Sequence, residues 1–434
     1  MRDTRIGVAL LGFGTVGGGV YQLLQQEFAS QIQVKHGTTF EVRKILVRSL
    51  KKRRRNVAPR KLFTTDFRDI LSDDSVDVVV EVMGGIYPTR KYILDALRAG
   101  KDVITANKAL MGQHCENLVD AAKKYGRYLG FSAAITGCHH FCSSILSSIL
   151  VRSLAGVFNG TANYILTRMQ EGLSLEQALE EAQKEGYAEL NPSSDVDGHD
   201  TVNKLVIVSR LAFGVSLKPK DIDVDGIRQI TQEDMDNAHK LDYTIKLLGV
   251  ARLHEDDKIE AWVCPCLIPK KHPLASVIGV QNGIQVYDEF RDVHGMNAFG
   301  AGARPTAMAI FNDLISLSQQ EPIAWPSSRP KKLKRIKFEN TLGKYYVRMT
   351  ADNKPGVLAK ITKILGRHGI NILSVVQRDE NPNSKVVPLV VICGPTQHKH
   401  LKRALGSIGS LGSIRSKPFF LRVEDALTPQ LITA

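Results

Sequence analysis

Between Gly186 and Lys204 the chain sets four carboxylates, Glu189, Asp195, Asp197 and Asp200, and the ammonium of Lys204 around a turn rich in Pro and Gly. Charge at this density between apolar, helix-like runs marks a site. From Asp200 onward Val202, Leu205, Val206, Val208 and Leu211 recur with helical period. Asp200 and Lys204 therefore lie one turn apart on one helix face, where a carboxylate can hold an amine in place. A lysine that is partly desolvated and crowded by a second cation loses its proton more readily, which suits it to proton transfer near neutral pH. Taken alone, an Asp/Lys pair at this spacing is an exposed salt bridge behind a helix cap.

A second set of residues suits a nucleotide. The apolar run Ile6-Gly7-Val8-Ala9-Leu10-Leu11 reads as a strand entering Gly12-Phe13-Gly14-Thr15-Val16-Gly17, after which Val20, Leu23 and Leu24 keep helical spacing. Gly12 permits the tight turn, Gly14 lets a pyrophosphate approach the backbone, and Gly17 lets the helix pack close to the strand. The helix N-terminus at Thr15 and Val16 then faces the phosphates. Further strand signals at residues 42–47, 76–82 and 102–105 alternate with helical patterns, which predicts a Rossmann-like, doubly wound parallel sheet.

The second strand runs into Arg48-Ser49-Leu50-Lys51-Lys52, where an NAD-specific protein usually carries an acid for the ribose hydroxyls. Arg48, helped by Lys51 or Lys52, would accept a 2′-phosphate, so NADP is favoured and NAD stays open. The paired Gly84 and Gly85 close a buried strand in a shape that lets a flat ring lie against backbone. Lys108 stands at the carboxyl end of the strand 102–105, the end at which such sheets bind ligands.

At 434 residues, with 43% hydrophobic and 24% charged, the chain predicts two to three globular domains. No apolar run is long enough for a membrane span, and Met1-Arg2-Asp3-Thr4-Arg5 leads into a strand, so a cytoplasmic protein is expected. Six scattered cysteines are too sparse for a disulfide scaffold and read as reduced thiols. Much of the net charge of +14 sits in residues 51–55 and 331–337, without interleaved aromatics or a reading module. Nucleic-acid binding is not expected.

Several of these segments carry a family resemblance. From Ala182 to Lys204 the chain resembles, at every spacing, the signature of the homoserine dehydrogenases. Asn159-Gly160-Thr161-Ala162-Asn163-Tyr164-Ile165 is close to that family's Asn-Gly-Thr-Thr-Asn-Tyr-Ile, and Thr105-Ala106-Asn107-Lys108-Ala109-Leu110 resembles its strand-to-helix turn residue for residue. The resemblance implies reversible, NAD(P)-dependent interconversion of L-homoserine and L-aspartate 4-semialdehyde, in threonine, methionine and isoleucine biosynthesis. It implies Lys204 as acid/base, Lys108 polarising the oxygen or relaying through water, and Asp200 orienting Lys204. Glu189 would take the substrate ammonium, with Asn159, Gly160, Thr161 and Tyr187 completing the substrate site. Thr105, Asn107, Lys108, Gly84, Gly85 and Gly302 would join the Gly12–Gly17 turn around the cofactor.

Relatives bind a monovalent cation such as Na+ through backbone carbonyls, by position those of Ser132, Ile135, Gly137 and His139. Here the family's Phe-Glu-Ala-Ser-Val is replaced by Phe131-Ser132-Ala133-Ala134-Ile135, followed by Cys138, His139, His140 and Cys142. Cys and His at that spacing also offer a zinc reading, although adjacent histidines rarely face one point.

The resulting organisation is a dinucleotide-binding domain at 1–130 completed by helix 305–320, and an α+β substrate and dimerisation domain at 131–304. A basic, Pro/Ser-rich linker at 321–340, read as a solvated tether, then leads to a ferredoxin-like βαββαβ domain at 341–425. Its Asp352-Asn353-Lys354-Pro355-Gly356-Val357-Leu358 turn resembles that of ACT domains, which bind amino acids, and threonine is the expected effector. A homodimer or homotetramer is implied, and removal of the chain from Lys331 onward is expected to leave an active dimer. The competing class is a catalytically weak, dehydrogenase-derived amino-acid sensor.

Overall fold

The computed structural model describes residues 4–52, 58–135, 150–290, 292–299, 303–319, 325, 330–377 and 384–425. Its first sheet has six parallel strands: β1 (Thr4–Leu11), β2 (Thr38–Leu46), β3 (Phe63–Thr64), β4 (Val78–Glu81), β5 (Asp102–Thr105) and β6 (Leu129–Gly130). The spatial order is β3-β2-β1-β4-β5-β6. Strands covered on both faces need continuous apolar runs, which Val8–Leu11 and Val78–Val80 supply. Strand order reverses between β1 and β4, and at that switch point the carboxyl ends of the strands leave a crevice for ligand. The helix Ala303–Ser318 returns to this sheet and buries Ala307, Ile310 and Leu314 with Val8, Leu10 and Val80.

The second sheet has eleven strands among the described residues. The long hairpin Tyr243–His254 and Lys258–Pro269 is its spine, and the helices Gly160–Gln170 and His199–Phe213 pack against it in the largest core. Past the hairpin the strands Phe419–Val423, Leu342–Asp352, Val386–Gln397 and Ile372–Gln377 follow in that order. With the helices Val357–Arg367 and His398–Gly409 they make the βαββαβ sandwich read from the sequence.

The tether reading is corrected where the segment is described. Lys334–Ile336 is a strand parallel to Lys258–Glu260. Trp325 is buried, its ring 4.1 Å from that of Phe131 and its Nε1 donating to the Leu129 carbonyl at 3.2 Å. The C-terminal sandwich is joined to the substrate domain by parallel pairing of Cys266 with Arg422 and Leu267 with Val423. Asp234 adds a second connection, accepting from Arg348 Nε at 2.6 Å and from Tyr346 Oη at 3.1 Å. A basic composition mimics a solvated tether, but the open edge of Lys258–Pro269 gives the backbone somewhere to pair. Cutting before Lys331 would remove the two strands paired to that edge and the Phe338 and Arg422 contacts of the buried Trp262.

Candidate active site

Two helices bring the predicted acid/base residues together. The helix Lys108–Tyr125 starts where β5 ends, and Asn107 caps it by accepting the Leu110 N–H at 3.1 Å. Asp200 and Lys204 ride on His199–Phe213, whose N-terminal boundary is Gly198 at φ +83°. A side chain at Gly198 would be strained by that φ, and its Cβ would meet Val224 Cγ2 at 2.9 Å. The helices approach closely because position 112 is glycine: a Cβ there would lie 2.6 Å from Asn203 Oδ1. Further along both helices Arg210 Nε and Glu116 Oε1 pair at 2.8 Å and hold the crossing.

At the open end of this crossing Asp200 lies between both lysines. Its Oδ2 is 2.8 Å from Lys204 Nζ and its Oδ1 3.4 Å from Lys108 Nζ. Lys204 is buried at 1% exposure and also donates to the Phe158 carbonyl, whereas the Lys108 side chain keeps 44% of its surface. The two amines are tuned in opposite directions. Burial, with the Lys108 charge added, pushes the Lys204 pKa down against the pull of Asp200. Asp200 pushes the pKa of the half-exposed Lys108 up, with Asp195 and Glu189 contributing. Burial disfavours the Asp200 carboxylate, yet the two ammoniums together hold its pKa well below the usual range.

Asn159 and Asp195 complete the cluster. The Asn159 amide donates to Asp195 Oδ1 at 2.6 Å and Asp200 Oδ2 at 2.9 Å, while its Oδ1 caps Gly160–Gln170 through the Ala162 N–H at 2.6 Å. Asp195 was not singled out as a site residue from the sequence, although it is one of the four clustered carboxylates. Burial pushes its pKa up, partly offset by the Asn159 hydrogen bond. Gly160 is buried as the first residue of its helix. Thr161 Oγ1 donates to the Tyr187 carbonyl at 2.6 Å and so pins the turn that presents the exposed Glu189.

The cofactor cradle fits a dinucleotide on its own geometry. Gly12 has φ +107°, and a Cβ there would meet the Val82 carbonyl oxygen at 3.0 Å. A Cβ at Gly17 would lie 2.3 Å from the Gly12 carbonyl oxygen, so the helix Thr15–Gln22 sits as close to β1 as glycine allows. Gly14, Gly84 and Gly85 face open space, the last two at φ +70° and +71°. Asn107 Nδ2 donates to the Gly85 carbonyl at 2.6 Å, which binds this turn to the one before Lys108. Arg48 is exposed just beyond β2. Gly302 lies outside the described residues.

Of the carbonyls read as a cation site, that of Ser132 accepts the Ile135 N–H at 3.3 Å within a short turn. Ser132 also donates to Asp313, its Oγ at 2.6 Å from Oδ1. Gly137 and His139, with Cys138, His140 and Cys142, lie outside the described residues, and among the described residues no cluster of three or more metal-ligating side chains occurs. Nor is any helix of the described residues long and apolar enough to cross a membrane.

Comparison with known proteins agrees with this arrangement. Three family models match in order: "Homoserine dehydrogenase, NAD binding domain" over residues 12–132, "Homoserine dehydrogenase" over 139–315, and "ACT domain" over 345–409. The homoserine dehydrogenase of Bacillus subtilis is 33% identical, with 98% of this chain and 99% of the relative covered. That of Synechocystis is 34% identical, with 96% and 99% covered. Among solved structures, a homoserine dehydrogenase from Thiobacillus denitrificans superimposes with a TM-score of 0.88 at 33% identity, covering 98% of this chain and 100% of that one. With relatives this similar over nearly their full length, and with both lysines gathered on one carboxylate, the chain belongs to the homoserine dehydrogenase family.

Proposed function

We propose that the site interconverts L-homoserine and L-aspartate 4-semialdehyde with a nicotinamide cofactor, Lys204 carrying the hydroxyl proton. The observation behind this reading is Asp200 held between Lys108 at 3.4 Å and Lys204 at 2.8 Å. When bound, the nicotinamide supplies the hydride acceptor. A lysine has three donor positions; Asp200 and the Phe158 carbonyl take two of Lys204's and leave one for the substrate oxygen. Its lowered pKa eases release and return of that proton, while the raised pKa of Lys108 keeps a positive charge beside the developing alkoxide. Glu189, exposed on the turn held by Thr161 and Tyr187, takes the substrate ammonium.

NADP is the preferred cofactor in this reading, supported by the exposed Arg48 at the end of the strand beside β1. Threonine is its effector. A cavity of about 320 Å³ lies at the turn of the C-terminal sandwich, lined by Asp352, Lys354, Gly356, Gln377 and Leu389 among others. Self-association is supported by the edge strand Val293–Phe299 with exposed Phe290, Val293 and Leu150 nearby. A cytoplasmic setting agrees with the free cysteines Cys115, Cys264, Cys266 and Cys393. The deciding experiment is an absorbance assay for reduced nicotinamide with L-homoserine and each cofactor in turn. Reduction of neither would overturn the enzyme reading, and threonine binding without turnover would point to the sensor.

A further inference from the structure

Glu81 ends β4 with its side chain fully buried at 0% exposure, in a strand otherwise made of valines. Its Oε1 accepts the N–H groups of Met83 at 2.8 Å and Gly84 at 3.1 Å. Its Oε2 accepts the Thr105 hydroxyl at 2.6 Å from the end of the neighbouring β5. These partners are all neutral donors. Burial pushes the Glu81 pKa up, opposed by Thr105, Met83, Gly84 and Asn107. A buried carboxylate satisfied only by hydrogen bonds is a cost to folding that a neutral side chain would avoid, so its place calls for a role.

The hydrogen bonds continue as a closed ring. Thr105 Oγ1 accepts the Asn107 N–H at 3.0 Å, and Asn107 returns its amide to the Gly85 carbonyl at 2.6 Å. Asn107 Oδ1 then caps the helix whose first residue is Lys108. A carboxylate accepts only, and its two oxygens can serve both loops at once. One buried group thus fixes the Gly84–Gly85 turn relative to the start of the Lys108 helix.

We propose that Glu81 is the positioning residue of hydride transfer, locking the ring-facing Gly84–Gly85 turn to Lys108 through Thr105 and Asn107. The inference rests on the reading above, in which that turn faces the nicotinamide and Lys108 the substrate oxygen. A loosened lock leaves both ligands bound but lets the reacting atoms drift, and a displacement near 1 Å costs about 100-fold in rate.

The test uses full-length Glu81→Gln, Thr105→Val and Thr105→Ser. Turnover, homoserine KM and the dissociation constant of NADPH, read by its fluorescence, are measured for each. The Thr105 side chain is fully buried and its hydroxyl is taken by Glu81 and Asn107, so it is not available to the cofactor as the resemblance implied. Glu81→Gln and Thr105→Val are therefore expected to lower kcat about 10- to 100-fold while KM and the NADPH constant stay within about 3-fold. Thr105→Ser, which keeps the hydroxyl, is expected to restore most of kcat. A kcat near wild type in Thr105→Val, equal losses in the Ser and Val variants, or a loss seen only as weaker cofactor binding would each overturn the proposal. Should Glu81→Gln fail to fold, the Thr105 pair still decides. Lys108→Ala with undiminished turnover would instead overturn the underlying reading of Lys108, so the two failures are distinguishable.

Discussion

Asp200 Oδ2 lies 2.8 Å from Lys204 Nζ within one helical turn, and the lysine is 1% exposed. Burial and Lys108 lower the Lys204 pKa, and Asp200 opposes them. In homoserine oxidation the lysine must be neutral to take a proton, so kcat/KM should rise with pH through its pKa. Semialdehyde reduction needs the protonated form and should fall over the same range. Asp200→Asn removes the opposing charge, so the limb should move to lower pH. A limb that stays in place would assign the titration to another group. Lys204→Ala should abolish turnover while leaving cofactor affinity nearly intact, and activity within a few fold of wild type would rule out the assignment.

Asn159→Ala separates cap from chemistry. Losing the helix cap should cost about 1 kcal/mol of stability, measured by thermal or denaturant unfolding. The same change removes the donor shared by Asp195 and Asp200, so kcat should fall by more than the stability loss explains. Wild-type kcat in a modestly destabilised variant would reduce Asn159 to a cap.

Arg48 tests cofactor choice. A charge-assisted hydrogen bond is worth about 1.5–3 kcal/mol, and Arg48 is exposed, so Arg48→Ala should weaken NADP toward the lower end of that range and leave NAD almost unchanged. Calorimetric titration with each cofactor gives the answer, and equal losses would place Arg48 away from the 2′ position.

The joint between the domains should show in acid. Glu260 accepts from Trp262 Nε1 at 2.6 Å and pairs with Arg252 at 3.2 Å and Arg422 at 3.6 Å. Burial works against its carboxylate, but His254, Arg252 and Arg422 prevail and lower its pKa from 4.5 to about 2. A carboxyl whose pKa is depressed on folding stabilises the fold above its unfolded value and loses that contribution as pH falls through its folded value. The contribution is on the order of 3 kcal/mol, present above about pH 4.5 and gone below about pH 2. Thermal melts of Glu260→Gln should therefore vary less with pH across that window than those of wild type. Parallel profiles would show that other carboxyls carry the acid response.

The sequence alone determined what short spacing encodes. The turn from Gly12 to Gly17, the alternation leading to a parallel sheet, and the one-turn step from Asp200 to Lys204 are properties of consecutive residues, fixed by backbone geometry. Glu81 lies in a strand run that also carries Asp77, so spacing did not single it out, and its partners Thr105 and Asn107 come from another strand end. Contacts set by how elements cross were decided only in three dimensions. Lys108 meets Asp200 because two helices touch at Gly112 and Asn203, and Asn159 reaches both aspartates from a third helix. The basic stretch before Phe338 looked like a solvated tether because composition reports the solubility of side chains and not the needs of the backbone. Its strand at Lys334–Ile336 and the Cys266–Arg422 pairing exist because Lys258–Pro269 offers unpaired backbone groups, and that edge becomes available only once the second sheet has formed.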